Sequence, residues 1–105
     1  MRFGEASRLS RGRRLTTESI RLRVCDDSVG SLLARVEQSL KRGRRLRAKG
    51  VLTRTLAPTA GGCRAYRIRW RLPSGFLARG TYTVRLRIRD SEGAWSKPAV
   101  KRRRR

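Results

Sequence analysis

From Gly80 to Gly93 the chain alternates without a break. Tyr82, Val84, Leu86 and Ile88 occupy one parity, Thr83, Arg85, Arg87 and Arg89 the other, and Asp90-Ser91-Glu92-Gly93 closes the run with Asp at the first and Gly at the fourth position of a turn. Successive side chains of a strand point to opposite faces, so this run reads as a half-buried β-strand entering a turn, with arginine on its wet side. The same grammar recurs upstream, in Ile20, Leu22 and Val24 against Arg21 and Arg23, and in Tyr66, Ile68, Trp70 and Leu72 against Arg67, Arg69 and Arg71. Segments with one apolar face each must pack against one another, which makes this an all-β module.

The remaining segments follow from their punctuation. Thr17 to Cys25 is a strand ended by the turn-forming residues Asp26 to Gly30. Ser31 to Leu40 satisfies strand parity through Leu32, Ala34, Val36 and Leu40, and helical spacing through Leu32, Leu33, Val36 and Leu40; its neighbours favour the strand. Residues 41–45 form a hairpin loop into a weaker strand, Leu46 to Leu56, and Ala57 to Gly62 is a loop with a Pro and a Gly pair. Strands over Cys63 to Leu72, Thr81 to Arg89 and Ala94 to Val100 complete six or seven, a number and spacing that suggest a sandwich. The expected core is Ile20, Leu22, Val24, Leu32, Ala34, Val36, Tyr66, Ile68, Trp70, Tyr82, Val84, Leu86 and Ile88. Residues 1–14 show no clear period and read as a basic tail or weak edge strand, residues 15–100 as the sandwich, and Lys101 to Arg105 as a like-charge tail expected to be disordered.

At 105 residues the chain has room for one domain and one core. Its 29 basic residues against 7 acidic ones give a net charge of +22, with no histidine. Such a charge repels itself and draws anions, so clustered arginine points to polyanions, nucleic acid among them. Of the basic residues 25 are Arg and 4 are Lys, a skew that a GC-rich genome produces at tolerant surface positions and that weakens the inference to nucleic acid. Nucleic-acid platforms also expose aromatics among their cations, whereas Tyr66, Trp70 and Tyr82 fall on the apolar parity. No segment has the apolar length of a membrane span, and residues 1–16 lack the apolar stretch of a secretory signal. The chain is expected to be cytoplasmic or a portion of a secreted protein.

Enzyme chemistry finds no purchase. Without histidine neither a Ser/His nor a Cys/His nucleophile can be assembled, two cysteines fall short of a zinc site, and Gly61-Gly62 precedes a strand where a phosphate cradle would open a helix. No cofactor is expected.

The stretch Leu72 to Pro98, with Gly80-Thr81-Tyr82-Thr83-Val84-Arg85-Leu86 and the closing Ser96-Lys97-Pro98, resembles the last two strands of fibronectin type III and bacterial immunoglobulin-like domains. The resemblance covers about a quarter of the chain, and the whole looks like the immunoglobulin-like modules of secreted proteins from GC-rich bacteria. It implies a single antiparallel immunoglobulin-like sandwich of six to seven strands, and for Tyr82 the role of capping a corner with its hydroxyl. Such folds host many unrelated functions.

An immunoglobulin-like order makes the strands that carry Cys25 and Cys63 antiparallel neighbours. A constant index sum then sets Cys25 opposite Cys63, Arg23 opposite Ala65 and Arg21 opposite Arg67, with both cysteines on the arginine face. The resemblance therefore implies a disulfide and an oxidising compartment; the alternative is a pair of free thiols in a cytoplasmic protein. The same order brings the loops holding Asp26, Asp27, Asp90 and Glu92 to one end. That gives a weak Ca²⁺ candidate, against the plainer reading that Asp starts turns and pairs with arginine. The expected protein is a secreted or cell-surface, non-enzymatic module with a structural or adhesive role. Arg21, Arg23, Arg67, Arg69, Arg71, Arg85, Arg87 and Arg89 would contact anionic polymers of the cell envelope. The alternative is a small cytoplasmic nucleic-acid-binding protein.

Overall fold

The alternating runs become two antiparallel sheets. The computed structural model describes residues 2–6, 10–11, 16–27 and 29–104, and contains β1 (Arg2–Ala6), β2 (Ser10–Arg11), β3 (Thr17–Cys25), β4 (Leu32–Arg42), β5 (Arg45–Leu56), β6 (Cys63–Arg71), β7 (Thr81–Arg89) and β8 (Ala99–Arg104), with a 3₁₀ turn at Ser74–Phe76. In the first sheet β3 is central, flanked by β6 on one edge and by the short β1 and β2 in succession on the other. The second has the order β5-β4-β7-β8. Strand wins over helix at Leu32–Arg42 because both neighbours, β5 and β7, bond to it along its length, and Leu32, Ala34, Val36, Gln38 and Leu40 all turn inward at the period of two.

Hairpin geometry sets the β4–β5 register. Gly43 and Arg44 form a two-residue turn, and Gly43 takes the positive φ of 63° that such a turn demands. A bulge follows: Leu40 faces Ala48 and Lys41 faces Leu46, so Arg47 is the extra residue and the parity of β5 resets beyond it. At the start of β7 the chain comes so close to β4 that a Cβ on Gly80 (φ 151°) would run into the Lys41 carbonyl oxygen.

The two inner faces share one apolar core. Ile20, Leu22, Val24, Ile68 and Trp70 from the first sheet meet Leu32, Ala34, Val36, Leu40, Tyr82, Val84, Leu86 and Ile88 from the second. Of the expected core residues only Tyr66 lies half-buried at the margin. Leu56, Leu72 and Phe76 add closure at the ends; Phe76, from a segment that reads as a plain crossover, packs its edge on Tyr82 with ring centroids 5.9 Å apart.

A polar chain crosses this core. Trp70 Nε1–H donates to the Tyr82 hydroxyl at 3.0 Å, and that hydroxyl donates to Gln38 Oε1 at 2.7 Å. Tyr82 is fully buried, so its hydroxyl ties the two sheets together where the resemblance had placed it at a corner. Each group satisfies the next, and removing the middle one orphans two buried polar groups at once. Tyr82→Phe is accordingly expected to cost about 2–4 kcal/mol, measured as a lowered urea midpoint with an unchanged slope. Adding Gln38→Leu should cost less than the sum of the two single changes, since it removes one of the orphaned acceptors.

Candidate polyanion-binding face

The β3–β6 register is continuous from Thr17↔Arg71 to Cys25↔Cys63, with Arg21 directly opposite Arg67, Arg23 opposite Ala65 and Ser19 opposite Arg69. Ile20, Leu22, Val24, Ile68 and Trp70 anchor the inner side, so the outer side carries Arg21, Arg23, Arg67, Arg69 and Arg71, all exposed. Facing positions on paired strands bring Cβ atoms to about 5 Å, where like charges destabilise the pair. The crowding registers on Arg67, whose pKa lies below the ordinary arginine value because Arg69 presses on it, with a smaller desolvation effect and then Arg21. Among the described residues no carboxylate forms an ion pair with Arg23, Arg67, Arg69 or Arg71. At the end of the ladder Cys25 and Cys63 form a disulfide with Cα atoms 4.0 Å apart. It closes the face covalently and is consistent with an oxidising compartment.

The arginines of β7 behave differently. Arg87 donates to Glu37 Oε1 at 3.3 Å, an oxygen that Arg35 also approaches at 3.3 Å, and its guanidinium lies 4.9 Å from the centre of the Trp95 ring. Arg89 reaches the same ring at 5.9 Å. Trp95 is 39% exposed and bridges to Arg89 from the β7–β8 connection, where Ser96 also bonds the Ile88 backbone. Arg87 and Arg89, expected to face anions, are thus occupied by an intramolecular cation–π ladder. Alternation on β7 does not reveal this, because Trp95 lies outside any periodic run.

The acidic residues are similarly accounted for. Asp90 Oδ1 accepts the backbone N–H groups of Glu92 at 3.0 Å and Ala94 at 2.9 Å, the usual work of an Asp at the head of a turn. The buried Asp26 is fixed to the 57–62 loop, its N–H donating to the Gly62 carbonyl and its carbonyl accepting from the Thr59 hydroxyl. Asp27 is exposed on the β3–β4 connection. The two loops do approach, since Gly30 packs on Ser91, but among the described residues no three carboxylate, cysteine or histidine side chains gather as a metal site. Asp90 thus does the turn-forming work that the plainer reading assigned to these acidic residues.

The C-terminal arginines correct a second expectation. The last strand covers Ala99–Arg104, and Ala94 to Pro98 is a connection held to β7 by the Trp95 bridge and the bonds of Ser96 to Ile88. Thr81 pairs with Arg104, Tyr82 with Arg103, Thr83 with Arg102 and Val84 with Lys101, so the segment expected to be disordered is a paired strand through Arg104; Arg105 lies outside the described residues. The physical reason lies across the core. Glu18 is 1% exposed, and Arg103 Nη1 turns inward to its Oε1 at 3.6 Å, so a buried carboxylate draws one cation of the run inside.

No protein-family model matches the sequence, and no curated protein matches it. A solved structure described as a protein from Archaeoglobus fulgidus is similar over 98% of this chain and 94% of its own, at 12% identity and a TM-score of 0.49. Among the described residues no helix is long and apolar enough to cross a membrane.

Deleting residues 101–105 would remove the Arg103 contact from the buried Glu18 and most of β8 from β7. Losing an ion pair to a buried carboxylate together with an edge strand destabilises the fold, so the deletion is expected to lower the urea midpoint markedly in the absence of any ligand. An unchanged midpoint would return this segment to the status of an appended charge.

Proposed function

We propose that the protein is a non-enzymatic, extracytoplasmic sandwich module of the immunoglobulin-like or fibronectin type III-like kind, whose β3–β6 face holds linear anionic polymers of the cell envelope in a structural or adhesive role. The connectivity supports the fold reading. With β1 and β2 counted as one broken first strand, the second strand pairs with the fifth, while the third, sixth and seventh lie together, as in immunoglobulin-like sandwiches. The disulfide supports the compartment.

The observation that carries the function is the placement of Arg21 against Arg67, beside Arg69, Arg71 and Arg23, on an exposed face. Folding forces these cations together whether or not an anion is present. A bound polyanion removes the repulsion and releases its own counterions, so it stabilises the native state over the unfolded one. Arginines two apart on β6 repeat at about 6.7 Å, which suits an extended chain of charges running along the strand.

Heparin is expected to raise the Tm at low ionic strength, with the effect fading as salt rises. The double variant Arg67→Gln, Arg69→Gln should be more stable than the parent without heparin and respond to it less, and its plot of log affinity against log salt should be shallower by about 1 per contact removed. An undiminished heparin response in this variant would contradict the assignment. A preference for one nucleotide sequence that persists at physiological salt would transfer the face to nucleic acid.

A further inference from the structure

On the opposite side of the molecule, the outer face of the β5-β4-β7-β8 sheet is hollowed into a groove of about 530 Å³, within the range of small-ligand sites. Register builds it. One row across the sheet reads Val51, Glu37, Arg85, Val100; the adjoining row places Lys49, Ser39 and Thr83 side by side. The short side chains of Ser39 and Thr83 form the floor, and Val51 and Val100, 56% and 41% exposed, stand as apolar walls.

Two polar groups of this groove are engaged within the protein, Gln38 by the Tyr82 hydroxyl and Glu37 by arginines, and four others make no such contact among the described residues. Glu37 Oε1 is held by Arg35 and Arg87, and among the described residues neither Arg85 nor Lys49 has an acidic partner within 4.0 Å. The half-buried side-chain hydroxyls of Ser39 and Thr83 likewise make no hydrogen bond to another described residue. A guanidinium, an ammonium and two hydroxyls therefore line one open depression with unused donors beside two apolar walls.

We propose that this groove binds a saccharide carrying carboxylates, a uronic-acid segment of a glycan. The carboxylate matches Arg85 and Lys49; ring hydroxyls match Ser39 and Thr83 and donate to Glu37; the C–H faces of the sugar cover Val51 and Val100. Glu37 decides against a bare polyphosphate, which would bring the groove's own carboxylate only repulsion, whereas a polyhydroxylated ligand brings it donors. Nucleobases find no open aromatic surface in the groove, since its lining contains no aromatic side chain. This assignment stands apart from the β3–β6 face and does not rest on it.

The test is a titration of the full chain, labelled with ¹⁵N, by an oligomer of galacturonic acid, with a neutral cello-oligosaccharide and tripolyphosphate run in parallel. Saturable shifts are expected at the amides of Gly50, Val51, Thr83 and Val100 with the acidic saccharide, and weaker or none with the other two. Arg85→Gln should weaken binding about tenfold or more, and the near-isosteric Thr83→Val by several-fold, with urea midpoints close to the parent's. Shifts confined to the β3–β6 face, equal binding of tripolyphosphate at the groove, or undiminished affinity in Arg85→Gln would each overturn the proposal. Loss of the heparin response in the Arg67 and Arg69 variant leaves these shifts in place, so the two sites fail independently.

Discussion

The pairing of β3 with β6 is the interaction on which the remainder of the structure depends. Its inner side supplies Ile20, Leu22, Val24, Ile68 and Trp70 to the core, and its outer side places arginine against arginine. Hydrophobic burial beneath and the Cys25–Cys63 bond at one end oppose that repulsion. A cross-link closing a loop of this size contributes about 3–4 kcal/mol in the chain-entropy account, comparable to what one large buried side chain provides. Everything else is attached to this pair: β1 and β2 extend along the far edge of β3, Glu18 of β3 draws in Arg103, and Trp70 of β6 begins the polar chain that reaches Gln38 through Tyr82.

The charge of the chain is therefore spent in unlike ways on its two outer faces. On the first sheet Arg23, Arg67, Arg69 and Arg71 stand exposed with no carboxylate paired to them among the described residues. On the second, Glu37 and Trp95 gather Arg35, Arg87 and Arg89 into an internal network, and what remains is a groove of mixed character. Uniform alternation in the sequence thus produces two surfaces with different chemistry, because a single Glu on β4 and a single Trp after β7 redirect three arginines.

Strands β3, β6 and β7 are legible in the sequence almost residue for residue, since one buried face fixes the parity and a slip by one residue would turn every apolar side chain to water. The β3–β6 register follows from a constant index sum because no bulge interrupts it; the β4–β5 register, with Arg47 inserted, does not. Lys101 to Arg104 reads as a repelling tail because the charge rule counts only neighbours in sequence, and the decisive partner, Glu18, is more than 80 positions away and buried. The same limit hides the core position of Phe76 and the contacts of Trp95. The arginine face itself is legible as residues on a parity, but which arginines stay without partners is decided by loops and by the opposite strand.

Strands β3 and β6 hold like charges together against their repulsion, and the disulfide acts in the same direction. Hydrogen exchange of the β6 amides, followed with the disulfide intact and reduced across a range of salt and polyanion concentrations, tests it most directly. Reduction at low ionic strength is expected to speed exchange in β6 well beyond the change in β4 and β7, and salt or heparin to restore protection. Equal protection of β6 with and without the disulfide at low salt, insensitive to added anions, would contradict it.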